Sequence, residues 1–273
     1  MTGQKAHWVA DELADLLPHS LREARSICSR WSAVGPGHAS VERVRVPSDG
    51  GDLAALIDHT ILRPDATTAD VLACCAEAAL NRFATVCTGS GNVSIAARSL
   101  EGSGVLPISV VGFPLGSAST ASKVAESCAA IYDGAREIDM VMNIGMLKSG
   151  AFAGVMTDIA AVVTASRPYP VKVILETCLL TDAEKERACV ISRLAGAAYV
   201  KSSTGFSTGG ATAGDIRLMR RCAGNAMGVK ASGGIRSYAA ARAMLEAGAT
   251  RIGSSNSVAI IMEAKANPES QEA

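Results

Sequence analysis

AYVKSSTGFSTGGATAGDIRLMRRCAGNAMGVKASGGIR, residues 198–236, is the stretch on which the reading of the fold turns. Its two ends are built alike. Short apolar runs at 198–202 and 228–232 each carry a lysine, Lys201 and Lys230, followed at once by small residues and glycine. Between them, residues 212–223 place apolar side chains at helical spacing. A strand, a glycine-rich loop, a helix and a second strand make a parallel βαβ unit, since parallel strands need a crossover of this length. Each lysine then sits at the carboxyl end of its strand, beside a loop able to admit a ligand.

The same alternation runs outward in both directions. Further β-prone runs occur at 53–59, 83–87, 107–113, 137–143, 171–177 and 250–254. Ala-rich amphipathic segments separate them at 68–80, 92–101, 119–133, 150–166, 181–195 and 237–247, and a last one follows near 256–266. Thr68, Ser119, Thr181 and Ser237 stand where helix caps belong, and Gly102, Gly134, Gly196, Gly224 and Gly248 where helices end. Eight strand–helix units over about 210 residues match a (β/α)8 barrel, a TIM barrel in the α/β class. An open doubly wound sheet would need fewer strands, and no GxGxxG follows the first run. The barrel domain is expected over 51–273. Residues 1–50 stand apart as an amino-terminal extension, with two short amphipathic helices at 8–17 and 20–31 separated by Pro18, packed on the barrel or on a neighbouring subunit.

Composition narrows the partners. Twenty-six basic and 26 acidic residues cancel, so no global field draws the chain to nucleic acid or an anionic membrane, and any anion site must be local. The apolar stretches are too short or too broken by glycine to span a bilayer. No basic stretch followed by a long apolar run marks a signal peptide, and the eight cysteines show no paired spacing. These features predict a reduced, cytoplasmic protein.

In a barrel the chemistry gathers at the carboxyl ends of the strands. Those ends offer Asp58, His59, Cys87, Asp139, Lys172, Glu176, Lys201 and Lys230. Lys201 is the candidate nucleophile. Only about one ordinary lysine in two thousand is neutral at pH 7, so such an amine needs a neighbouring ammonium and partial desolvation, and Lys230 on the next strand is placed to supply the first. Alone, Lys201 also reads as a phosphate clamp or a buried ion pair. Asp139, in Glu-Ile-Asp-Met-Val-Met-Asn (137–143), reads as a proton relay or as a carboxylate that holds the lysines. Asp58, Lys172 and Thr204 are supporting residues, and His59 reads as structural. Gly205, Gly233, Gly234 and Gly253, with Ser254 and Ser255, lie on the loops after strands six to eight, where this fold cradles phosphate. The four histidines form no metal-binding pattern, and a lysine nucleophile requires no metal.

Six motifs in order resemble the deoxyribose-phosphate aldolase family. They are Ile57-Asp58-His59-Thr60, Val111-Gly-Phe-Pro-Leu-Gly116, Glu137-Ile-Asp-Met-Val141, Lys172-Val-Ile-Leu-Glu-Thr177, Lys201-Ser-Ser-Thr-Gly-Phe206 and Lys230-Ala-Ser-Gly-Gly-Ile-Arg236. The resemblance runs from about 53 to 262 and leaves residues 1–50 uncovered. It implies reversible cleavage of 2-deoxy-D-ribose 5-phosphate to D-glyceraldehyde 3-phosphate and acetaldehyde, in deoxyribonucleotide catabolism. It implies Lys201 as the Schiff-base lysine, Lys230 as its perturbing partner and Asp139 as the relay acid. It further implies phosphate contacts at Gly205, Gly233, Gly234, Gly253, Ser254 and Ser255, no cofactor or metal, and a homodimer. Three features depart from the family pattern: Lys-Ser-Ser-Thr for Lys-Thr-Ser-Thr, the turn Cys87-Thr-Gly-Ser-Gly91, and a carboxyl terminus without a tyrosine. Two other functions fit the residues, a Schiff-base aldolase of another phosphorylated aldol and a sugar-phosphate-binding barrel without catalysis.

Overall fold

The computed structural model describes residues 53–266, so the extension expected over 1–50 and the end of the chain lie outside the described residues. Eight parallel strands close into a barrel in sequence order: β1 Ile57–Thr60, β2 Thr85–Thr88, β3 Leu106–Val111, β4 Glu137–Val141, β5 Val171–Ile174, β6 Tyr199–Lys201, β7 Gly228–Ser232 and β8 Arg251–Ser254. The last strand pairs back onto the first, with Asp58 beside Gly253. Around them lie α1 Thr68–Asn81, α2 Val93–Ser99, α3 Thr120–Tyr132, α4 Ile144–Lys148, α5 Phe152–Ser166, α6 Asp182–Leu194, α7 Ala213–Ala223, α8 Tyr238–Glu246 and α9 Ser257–Ala266.

The expected TIM barrel is present, with three local differences. Residues 53–56 form a helical turn, closed by Leu56 N–H donating to the Leu53 carbonyl at 3.0 Å, where the sequence suggested strand. Leu53 and Ala54 bury their side chains in the core from this turn, so the apolar run reflects packing rather than pairing. Helix α4 was not anticipated. It is five residues long and is capped by Asn143, whose side chain accepts from Met146 N–H. The cap of α1 is Thr67 rather than Thr68, in a reciprocal capping box with Asp70. The caps expected at Ser119, Thr181 and Ser237 are present.

Period-two alternation divides each strand between two environments. Ile138 and Met140, Val171 and Val173, Val200, Val229 and Ala231, and Ile252 join the apolar layer under the helices. The residues between them line the barrel interior. There, Cys87, Ile108 and Val110 form a small apolar cluster of their own. Val141 and Ile174 continue the inward rows of Asp139 and Lys172, and much of the remaining interior is ionic, where branched apolar layers usually fill this fold. Gly228 opens β7 because a Cβ there would lie 2.1 Å from the Tyr199 ring. Outside the barrel, Lys123 of α3 is fully buried, donating to Asp158 of α5 at 2.6 Å and to the Val141 carbonyl at 2.9 Å, which ties two helices to β4.

Candidate active site

Inward-facing positions on six strands bring seven charged side chains together. Asp139 of β4 is the hub. Its Oδ1 accepts from Lys172 at 2.9 Å, and its Oδ2 accepts from Lys201 at 2.9 Å and from Lys230 at 2.7 Å. Lys201 and Lys230 are register partners on β6 and β7, and a single carboxylate oxygen receives both ammonium groups. Lys230 also contacts Asp58, which accepts a 2.7 Å hydrogen bond from Thr85 and lies 3.3 Å from Arg251 Nε. Lys172 contacts Glu137, whose other oxygen accepts from Arg251 at 2.8 Å. Three carboxylates therefore face four basic groups in a largely buried interior.

Burial and neighbouring charge act differently on the three lysines. For Lys201, burial is the largest influence and lowers the pKa; the ammonium of Lys230 adds to this, and Asp139 opposes it without overcoming it. For Lys230, burial again pulls downward, but Asp139 and Asp58 together outweigh it and the pKa rises. Lys172 behaves like Lys230, held protonated by Asp139, Glu137 and Asp58 against the effect of burial. Burial works against the charged form of Asp139, yet Lys172, Lys201 and Lys230 hold it well below the usual carboxylate range. The result is one amine inclined to lose its proton, beside two fixed ammonium groups and one fixed carboxylate.

Only one of these lysines meets the outside. A cavity of about 560 Å³ opens at the carboxyl ends of the strands, and Lys201 lies at its floor, with Thr204, Phe206 and Ser232 on the wall. Lys230, Lys172, Asp139 and Asp58 are fully buried behind that floor. The six residues expected to hold phosphate, Gly205, Gly233, Gly234, Gly253, Ser254 and Ser255, all line the same cavity. Gly205, Gly233 and Gly234 hold left-handed backbone angles, with φ of 85°, 88° and 77°, conformations that glycine adopts without steric cost. Two of the six have further duties. A Cβ on Gly253 would lie 2.9 Å from Lys230 Cε, so this glycine makes room for the lysine. The hydroxyl of Ser254 donates to the Ile235 carbonyl at 2.7 Å and accepts from Asn256 N–H at 2.9 Å, binding β8 to the loop after β7.

Thr204 is held in place by Glu176, which accepts from its hydroxyl and its N–H. Glu176 is itself buried, with a left-handed φ of 56°. The sequence places it at a strand end without marking it as part of the site. Serines knit the neighbouring turns: Ser202 Oγ donates to the Ser232 carbonyl at 3.1 Å, and Ser232 Oγ to the Ser203 carbonyl at 2.6 Å. At the rim, Phe206 packs edge-on against Phe113, with centroids 5.3 Å apart. His59, read as structural, lies 2.9 Å from Glu77 of α1, and both line the same cavity. Arg251 and Glu137 are the ionic partners that sequence reading did not single out. The available signal was parity, since Glu137 precedes Asp139 by two residues and Arg251 precedes Gly253 by two.

Among the described residues no group of His, Cys, Asp or Glu side chains is arranged to hold a metal ion, and no helix is long and apolar enough to cross a membrane. Cys74, Cys75, Cys87, Cys178, Cys189 and Cys222 are free thiols.

Known proteins resemble this chain in sequence and in fold. The description DeoC/LacD family aldolase matches residues 53–260. A deoxyribose-phosphate aldolase of Streptococcus suis (strain 98HAH33) is 55% identical over 211 residues, covering 77% of this chain and 96% of the relative. One from Shouchella clausii (strain KSM-K16) is 55% identical over 212 residues, covering 77% and 95%. The solved deoxyribose phosphate aldolase of Aeropyrum pernix, described as having a unique tetrameric structure, superposes with a TM-score of 0.74 at 33% identity, over 88% of this chain and 97% of that one. The family match leaves residues 1–52 and 261–273 uncovered. With its ionic barrel interior, its single cavity-facing lysine and this match across the whole barrel, the chain belongs to the DeoC/LacD family of aldolases.

Proposed function

We propose that the protein is a deoxyribose-phosphate aldolase, a lyase that reversibly cleaves 2-deoxy-D-ribose 5-phosphate to D-glyceraldehyde 3-phosphate and acetaldehyde through a Schiff base on Lys201. One observation carries the assignment of Lys201: of three buried interior lysines, it alone reaches the cavity and it alone has a lowered pKa.

The chemistry follows from that arrangement. The neutral Lys201 amine adds to the C1 aldehyde of the open-chain sugar, and loss of water leaves an iminium. That cation draws in the electron pair of the C2–C3 bond as the C3 hydroxyl loses its proton. Glyceraldehyde 3-phosphate departs, and the two-carbon enamine remains on Lys201. A proton delivered to its terminal carbon, by the relay of Lys230 and Asp139, restores an iminium that water hydrolyses to acetaldehyde and free lysine. Lys230, held protonated, serves as the proton donor, and Asp139 keeps both nitrogens in place while their charges change. Asp58, Lys172 and Thr204 support this group from behind and beside it. The loops carrying Gly205, Gly233, Gly234, Gly253, Ser254 and Ser255 hold the phosphate at the far end, which fixes the reacting carbon over Lys201. The lysine itself is the covalent catalyst, and the reading includes no further cofactor. It also includes a cytoplasmic protein acting on a small, free phosphorylated sugar.

Trapping tests this directly. Incubation with deoxyribose 5-phosphate followed by borohydride should leave a reduced adduct on the Lys201 peptide, read by mass spectrometry. The Lys201→Met variant should give none. A folded protein that leaves Lys201 unmodified, or that cleaves the sugar without it, would overturn the assignment.

A further inference from the structure

Arg251 takes no part in the mechanism above, yet its position in the ionic interior is specific. It enters from β8 at the register of Lys230 and contacts two carboxylates, Glu137 at 2.8 Å and Asp58 at 3.3 Å. Those two carboxylates are also the second partners of the other interior lysines, Glu137 for Lys172 and Asp58 for Lys230. Among the described residues Lys201 has no second partner of this kind. Its carboxylate contact there is Asp139 Oδ2, already shared with Lys230 while Lys172 occupies Oδ1.

We propose that Arg251 is a positioning residue which, as the cation that never gives up its proton, keeps Glu137 and Asp58 engaged and makes Lys201 the surplus base of the barrel interior. A guanidinium stays charged at any working pH. With Arg251 in place, three carboxylates balance three cations, and the fourth basic group is most stable neutral. The groups that act directly on Lys201 are Asp139 of β4, Lys230 of β7 and the Cys87 thiol of β2. Asp58 of β1, Glu137 of β4, Lys172 of β5 and Arg251 of β8 complete the ionic cluster behind them, Glu176 after β5 is engaged by Thr204, and β3 contributes apolar Ile108 and Val110. The Cys87 thiol is pushed up to about 11 by burial and adds no negative charge at neutral pH. The inference rests on the reading of Lys201 as the reactive amine and adds to it the reason that amine is chosen.

The test is the pH dependence of trace labelling with acetic anhydride, quantified on the Lys201 peptide of the intact protein, because it reads the amine without turnover. Arg251→Gln leaves three carboxylates and three lysines, a balance reached with Lys201 protonated. Its labelling midpoint should move to higher pH, with roughly tenfold slower labelling at pH 7. Glu137→Gln leaves two carboxylates against four cations and should move the midpoint the opposite way. Arg251→Lys, which keeps the charge, should return the profile toward that of the wild type. General loosening of the site would shift Arg251→Gln and Glu137→Gln in the same direction, so opposite shifts are the signature. If Arg251→Gln fails to fold, Arg251→Met, which keeps the length of the side chain without its charge, takes its place in the comparison. Unchanged or parallel shifts, with wild-type Lys201 labelling as a depressed amine, would overturn the role of Arg251 alone. A wild-type Lys201 that labels like an ordinary lysine would overturn both readings.

Discussion

Lys201 and Lys230 lie side by side and donate to one oxygen, yet they differ in what their removal should cost. Lys201 is the poorly compensated cation, so Lys201→Met should leave stability within about 1 kcal/mol of the wild type, or raise it, while abolishing Schiff-base formation. Asp139→Asn removes the hub shared by three ammonium groups and should cost about 3 kcal/mol or more. Urea denaturation of the two variants checks the contrast, and equal losses would contradict it. At this scale the sequence made Lys201, Lys230 and Asp139 legible, because each stands beside glycine or breaks an apolar strand. It could not rank the two lysines. That distinction depends on which carboxylates arrive from β1 and β4, and Asp58 and Lys230 are 172 residues apart in the chain.

Among the elements, the loops after β6 and β7 lock together by backbone contact. Ala211 N–H donates to the Gly233 carbonyl at 3.0 Å, and a Cβ on Gly210 would lie 2.3 Å from that oxygen. Gly210→Ala must therefore displace the Gly233–Gly234 turn, which neither of its glycines can resist. Steady-state kinetics should show KM for the phosphorylated sugar rising roughly tenfold, with kcat changing less. An unchanged KM would separate this turn from phosphate binding. The strands and most helices were legible through period and caps. Helix α4 was not, since five residues carry too little periodicity, and the turn at 53–56 was not, since an apolar run buries equally well in either form.

For the molecule as a whole, the ionic interior sets the response to pH. The folded pKa values of Asp58 and Asp139 lie below their ordinary values, Asp58 because Arg251, Lys230 and Lys172 outweigh the opposing effect of burial. Their contribution to stability is thus complete above the ordinary carboxyl range and is lost as pH falls through the folded values. Lys172 and Lys230 have raised values, so their contribution is complete below the ordinary lysine pKa near 10.4 and is lost as pH climbs past it. Lys201 runs the other way: the unfolded chain binds its proton more readily, so stability declines as pH falls from the ordinary lysine range toward its folded value. Urea midpoints should rise gently from neutral pH toward the ordinary lysine range and fall below about pH 4. A steep loss between pH 5 and 7 would be inconsistent with this interior. The barrel itself was legible from the count of strand–helix units, but the filling of its interior with charge was not, because burial of both faces hides which residues point inward.

An interior held together by mutual neutralisation also restricts how the chain can change. An apolar barrel core tolerates one substitution at a time, each adjusting volume by a methyl or two. Here, replacing any one of Asp58, Glu137, Asp139, Lys172 or Arg251 strands a buried partner, at a cost comparable to much of the stability of a domain. Accessible routes to a new interior run through paired exchanges, in which an acid and a base leave together. The loops at the rim are under no such restriction. Directed evolution of this protein toward other aldols should therefore accumulate single changes around Phe113, Phe206 and the glycine turns, and change the interior in twos or leave it alone.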